Sequence, residues 1–284
     1  MLDVGGRSRL GGAPHLERKP VAPVNPLSLH GHALQQDVQR TTCFDAAVAT
    51  DVATRLDQLA KRYSLPDGAT AQLALLLDLV ADEPSAITAV RDPAQGVDVH
   101  VADSLVALER AEVRESRRIA DLGSGGGFPG LALAIASPDA HVALVESMGR
   151  KCAFLRGAVE RLGLGNVDVV HARAEAWRDG LGAHDLVTAR ALAPLTTIIE
   201  YAAPLLELRG SLVAWKGLVA AEEEADGRAA AAAVGMSAPI GHAVEPYAGA
   251  QRRSLYINLK VMETPDIYPR REGMARKRPI RAST

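Results

Sequence analysis

Between Arg118 and Gly130 the chain reads Arg-Ile-Ala-Asp-Leu-Gly-Ser-Gly-Gly-Gly-Phe-Pro-Gly, and Leu131-Ala-Leu-Ala-Ile-Ala follows. Apolar residues run into an aspartate, then into a glycine-dense turn, then into a helical segment. A strand, a tight glycine loop and a helix in that order open a nucleotide-type site in an open α/β sheet. Glycine lets the backbone turn sharply and lets a ligand approach main-chain atoms closely. Pro129 suits the first turn of the helix, where its missing N–H costs nothing. The stretch therefore predicts a strand over 119–123 and a helix over 131–136.

Downstream, short β-branched runs alternate with helical ones. Strands are predicted over 141–146, 167–170, 184–189 and 210–216, and helices over 151–162, 194–208 and 219–234. That alternation gives a mainly parallel sheet covered on both faces. The end breaks the pattern. Residues 240–247 and 254–261 read as strands separated only by the turn at Ala248-Gly249-Ala250, so the last strand should run antiparallel to its neighbour. The expected class is α/β: a Rossmann-like, mainly parallel seven-stranded sheet with an antiparallel terminal hairpin strand and an N-terminal helical extension.

Upstream, helices are predicted over 50–63, 70–80 and 97–108. The first carries Val52, Leu56, Leu59 and Ala60 at helical spacing. Pro84 ends the second, and Asp92-Pro93 and Asp98 are start signals for the third. This front unit has little apolar surface of its own and should pack on the sheet domain. Residues 1–42 are rich in Gly, Pro, Arg and His without periodicity. They read as a disordered tail or as the product of a start codon placed too far upstream. The domain reading is a tail over 1–42, a helical extension over 43–115, a binding domain over 116–263 and a basic tail over 264–284.

Composition narrows the function. Charged residues make up 23% and the net charge is -2, so any nucleic-acid surface must be local. The local candidate is the C-terminal run with Arg270, Arg271, Arg276, Lys277, Arg278 and Arg281, either a solvated end or a phosphate-contacting arm. Trp177 and Trp215 are expected to be packing residues. Cys43 and Cys152 lack metal spacing and read as free thiols in a reducing cytoplasm. His30 and His32 form no convincing metal pair. No apolar run reaches membrane-span length, and the N-terminus lacks a secretory h-region.

Two ligands compete for the glycine loop. Gly125, Gly127 and Gly130 match the dinucleotide fingerprint, and Glu146 closes the second strand where a ribose-binding acid belongs. An NAD(P) oxidoreductase fits that much. Asp121 argues against it, because a carboxylate aimed at this turn would repel a pyrophosphate. S-adenosylmethionine brings an ammonium and a sulfonium instead, and Glu146 can hold both of its ribose hydroxyls. A P-loop is excluded, since no Gly-Lys-Ser/Thr follows.

Taken together, Asp121–Gly130, Glu146-Ser-Met-Gly-Arg-Lys151, Arg173-Ala-Glu175, Thr188-Ala-Arg190-Ala-Leu-Ala-Pro194, Lys216-Gly217 and Thr264-Pro-Asp-Ile-Tyr-Pro-Arg-Arg271 closely resemble the RsmG (GidB) family, bacterial 16S rRNA guanine-N7 methyltransferases. The likeness covers about residues 45–281. It implies a class I methyltransferase fold, S-adenosylmethionine as methyl donor, no metal, and N7 of one guanine in the decoding-region loop of 16S rRNA as acceptor, within the small ribosomal subunit. A cytoplasmic monomer without membrane attachment is expected. By the same resemblance Asp121, Gly123, Gly125, Phe128, Glu146, Ala174, Glu175 and Arg190 bind the donor. Lys216, Arg270, Arg271, Lys277 and Arg278 are the RNA-binding candidates. His100, Asp103 and Ser104 match a family segment expected to pack over the pocket. The family's usual Trp-Asn pair in the front helices is replaced here by Leu79-Val-Ala-Asp-Glu-Pro84. No residue is required as a catalytic acid or base, and Arg190 is the expected positioning residue. A catalytically dead RNA-binding scaffold is the third reading.

Overall fold

A computed structural model describes residues 50–283. The tail reading of 1–42, the His30–His32 pair and Cys43 lie outside the described residues.

Seven strands form one sheet in the order β3-β2-β1-β4-β5-β7-β6. They are β1 (Arg118–Leu122), β2 (His141–Glu146), β3 (Val167–His171), β4 (His184–Arg190), β5 (Leu206–Lys216), β6 (Ile240–Val244) and β7 (Arg253–Leu259). The first five run parallel, with Asp121 level with Leu144 on β2 and Thr188 on β4. β7 runs antiparallel to β5, pairing Leu255 with Trp215, and β6 returns antiparallel along β7. Side chains alternate between the two faces. Ile119, Val142 and Leu144 enter one apolar core, and Ala120, Leu122 and Val145 enter the other.

The first core is shared with the front helices. Helix α1 (50–63) buries Val52, Leu56 and Leu59. α2 (Ala69–Asp82) buries Leu73, Leu76, Leu77 and Val80, one face at helical spacing. α6 (Gly130–Ala136) and α7 (Gly149–Leu162) complete this layer. On the opposite face lie α8 (Leu195–Ala202) and α9 (Ala221–Val234).

The third front helix starts earlier than predicted. Helical backbone begins with α3 (Pro93–Gly96), where the Asp92 carboxylate accepts the Ala94 N–H. It continues through a π-helical turn, Val97–Ala102, into α4 (Asp103–Leu105) and a 3-10 turn, Val106–Glu109. Asp98 therefore lies inside the helical run, where it pairs with Arg55. A short helix α5 (Ala111–Arg114) leads into β1. The predicted helix over 194–208 also needs correction. It stops at Ala202, because Pro204 enters a 3-10 turn, and the segment from Leu206 joins the sheet.

The basic C-terminal run is neither a solvated end nor a free arm. It straps across α8 and α9 and contains the short helix α10 (Met274–Lys277). Ala275 is buried. The Thr196 hydroxyl donates to the Ile280 carbonyl at 2.8 Å, and the Ala282 N–H donates to Asp226 at 2.9 Å. Arg270 forks onto Glu200 of α8, with Nε 2.6 Å from Oε1. Glu200 is 2% exposed, so this pair is a buried lock, and Arg270 is withdrawn from the RNA-binding candidates. Among the described residues no helix is long and apolar enough to cross a membrane.

Removing one member of a buried ion pair leaves the other charge without compensation. Arg270→Ala is expected to lower the unfolding free energy in urea by about 3 kcal/mol. Arg271→Ala, at an exposed position, should change it by less than about 0.5 kcal/mol.

Candidate active site

The site lies at the carboxyl edge of β1, β2 and β4, and its frame is set by Asp121. That side chain is wholly buried. It accepts the Thr188 hydroxyl at 2.8 Å and the Gly130 N–H, at the start of α6, at 3.3 Å. A Cβ on Gly130 would stand 2.8 Å from Asp121 Oδ2, so the helix can begin against the carboxylate only as glycine. Burial pushes the Asp121 carboxyl up, and hydrogen bonds from Thr188 and Ser124 oppose it. Asp121 thus clamps β1, β4 and α6 together and does not line the cleft. Its expected role as a ligand-facing acid is corrected.

The acid at the cleft's edge is Glu146, at the end of β2. Its two oxygens take the N–H groups of Gly125 at 3.1 Å and Met148 at 2.8 Å, which ties the glycine loop to the β2 exit. Its neighbours Val145 and Ser147 line a cleft of about 170 Å³ together with Gly123, Ala174, Glu175 and Leu192. Gly123 has φ 70°, and a Cβ there would lie 2.7 Å from Leu192 Cδ1. The chain turns tightly here and keeps the cleft open. Glu175 accepts the Tyr201 hydroxyl at 3.4 Å and the Gly273 N–H at 3.0 Å. Burial, and then the Glu175 carboxylate, push the Tyr201 hydroxyl up.

Phe128 and Arg190 gather elsewhere. Arg190, at the end of β4, lines a second cleft of about 520 Å³ with His100, Asp103, Trp215, Lys216 and Arg253. Its guanidinium donates to Asp103 Oδ2 and to the Val99 carbonyl, both at 3.0 Å. Arg253 faces the other Asp103 oxygen at 3.6 Å, and the Trp215 indole N–H donates to the Asp103 carbonyl at 2.6 Å. Phe128 stacks on His100 with centroids 4.7 Å apart, and the Arg190 guanidinium lies 5.7 Å from the same ring. His100 on the π-helical turn and Asp103 at the start of α4 therefore wall this second cleft. The two clefts are separated by the residues that follow β4: Leu192 lines the first, Ala191 the second.

Lys216 is also engaged. Its ammonium is 2.6 Å from Glu223 and donates to the Ala193 carbonyl. Arg271, Lys277 and Arg278 are exposed on the C-terminal strap, and the first two border a third depression beside Glu175. Tyr201, Leu192 and Arg276 line the first cleft without having been singled out for it. Leu192 lies two residues after Arg190 within the Thr188–Pro194 segment, and Arg276 within the basic C-terminal run; Tyr201 lies in neither. Arg253 carried no signal at all, because only the β5–β7 pairing brings it to Asp103.

A doubly wound sheet of this strand order, with one reversed strand and a glycine turn facing a strand-end acid, defines a class I methyltransferase fold. The model of the family described as rRNA small subunit methyltransferase G, GidB, matches residues 71–244. A ribosomal RNA small subunit methyltransferase G of Rubrobacter xylanophilus is 43% identical over 201 residues, covering 69% of this chain and 77% of the relative. One of Roseiflexus castenholzii is 44% identical over 200 residues, covering 68% and 83%. The chain belongs to the rRNA small subunit methyltransferase G family. The oxidoreductase alternative finds no support in these relatives.

Burial lowers the pKa of His100, a ring whose Nε2 faces the Val90 carbonyl at 2.9 Å. His184, also buried, is lowered for the same reason. Both rings bind fewer protons folded than unfolded, so stability rises with pH through this window. It is present above the ordinary imidazole value of 6.5 and is lost as pH falls through the depressed folded values. The melting temperature should therefore drop on acidification below that value, and less steeply in His100→Asn.

Proposed function

We propose that this chain transfers a methyl group from S-adenosylmethionine to N7 of one guanine in the decoding-region loop of 16S rRNA, acting as a monomer on the small ribosomal subunit. Family membership supports the reaction class. The observation that carries the donor assignment is the Glu146 carboxylate, fixed by two N–H groups at the end of β2 beside a left-handed glycine turn. Glu175 lines the first cleft and Glu146 stands between two of its lining residues, Val145 and Ser147; carboxylates so placed suit a ligand with ribose hydroxyls and a cationic centre. The residues present fit S-adenosylmethionine, which when bound supplies a methyl group on a positive sulfonium. Glu146 would take the ribose hydroxyls, and Ala174 and Glu175 the adenine end.

Guanine N7 carries an available lone pair at neutral pH, so no general base is needed to make it a nucleophile. The chain's work is positional: to hold the base and the methyl in line at attacking distance. The second cleft adjoins the donor cleft and supplies the acceptor side. Arg190 belongs to that side, and it positions the front helices through Asp103 while flanking the entry for the base. Exposed Arg271, Lys277 and Arg278 supply phosphate contacts, and Lys216 sits at the mouth already paired with Glu223.

The test is transfer of labelled methyl from S-adenosylmethionine to small subunits and to naked 16S rRNA, both from a strain lacking the modification. Label at one site as 7-methylguanosine is expected, and no label on either substrate overturns the proposal. Arg190→Ala should lose most of the transfer while remaining folded. Near-normal turnover in that variant contradicts its positioning role.

A further inference from the structure

The first cleft has one wall that neither the glycine loop nor the strand ends provide. Arg276, on α10 of the C-terminal strap, lines it alongside Gly123, Ala174 and Leu192. Its guanidinium donates to the Leu192 carbonyl at 3.1 Å, and Leu192 is the side chain closing over Gly123. Three residues earlier, the Gly273 N–H holds the Glu175 carboxylate at 3.0 Å, and the Tyr201 hydroxyl beside it meets both that carboxylate and Arg276. Next to it, Glu272 pairs with Arg173, another lining residue, at 3.4 Å. The strap thus touches the cleft wall at three points.

Its placement is fixed from beneath. Arg270 is locked to buried Glu200, Ala275 is 2% exposed, and its carbonyl accepts the Thr197 hydroxyl at 3.4 Å. Beyond the helix, Arg281 lies 3.5 Å from both Glu222 and Asp226 of α9. A segment so anchored is a built wall, and its arginine is held at the cleft by a main-chain carbonyl.

We infer that the C-terminal strap completes the donor pocket, with Arg276 as a binding residue for the purine nucleoside end of the donor and Gly273 as the positioning residue for Glu175. This rests on the assignment of the first cleft to S-adenosylmethionine. A planar guanidinium at the edge of a narrow cleft offers a face for a purine ring, and its charge is spread over that plane. Part of the basic tail therefore serves the donor: Arg271, Arg276, Lys277 and Arg278 are all exposed, and of these Arg276 lines the first cleft.

The experiment is calorimetric titration of the full chain and of Arg276→Ala with S-adenosylhomocysteine and with 5′-methylthioadenosine, which lacks the amino-acid end. Arg276→Ala is expected to weaken both ligands by the same factor, about fivefold, as loss of one cation–π contact would. The melting temperature of the unliganded variant should stay at the wild-type value, which a merely structural role would lower. Unchanged affinity in a folded variant overturns the inference while leaving the donor assignment standing. Loss confined to S-adenosylhomocysteine also overturns it, since it would place Arg276 at the amino-acid end. A wild-type chain that binds neither ligand overturns the donor assignment, and this inference with it.

Discussion

A carboxylate with no contact to solvent holds this molecule's working edge together. Asp121 sits near the end of β1, and its two oxygens reach in different directions, to a hydroxyl on β4 and to the first N–H of α6. A buried carboxylate is costly unless its hydrogen bonds are made, and here they come from two different elements. Any shift of β4 or α6 leaves a buried carboxyl group unsatisfied. The glycine turn between Asp121 and Gly130 therefore has both ends fixed, and its backbone faces Glu146 with little freedom to drift.

From that edge the site divides in two. One cleft is built from the ends of β1 and β2 and the segment after β3, with Glu175 in its wall and Glu146 just behind its rim. The other is built around Arg190, Asp103 and Arg253, and it exists only because the front helices dock on the sheet. The π-helical turn at Val97–Ala102 widens the helix where His100 meets Phe128 and where Asp103 meets Arg190. The helical extension is thus part of the second cleft's wall and shares the core of the sheet domain.

Much of this architecture is written locally. The strand, glycine turn and helix at 118–136, the βα alternation and the final hairpin follow from hydrophobic period and turn residues, which act over a few positions. What escaped sequence reasoning depends on partners far along the chain. Glycine spacing located the turn but could not say that Asp121 points to α6 and β4 and away from a ligand. Arg270 looked like a phosphate contact because its partner, Glu200, lies 70 residues earlier. The helix predicted over 194–208 runs too far because Leu205, Leu206 and Leu208 continue an apolar helical pattern, and only the pairing of Leu206 with His184 on β4 assigns the segment to the sheet. The strap's path over α8 follows from buried contacts that a basic, proline-containing sequence does not advertise.

The small cleft beside Glu146 is the proposed donor site. A crystal structure of the chain with S-adenosylhomocysteine tests it most directly. The nucleoside is expected in that cleft, with both ribose hydroxyls on the Glu146 carboxylate and the adenine between Ala174 and Leu192. Ligand lodged instead in the cleft of Arg190 and Asp103, with Glu146 untouched, would contradict it.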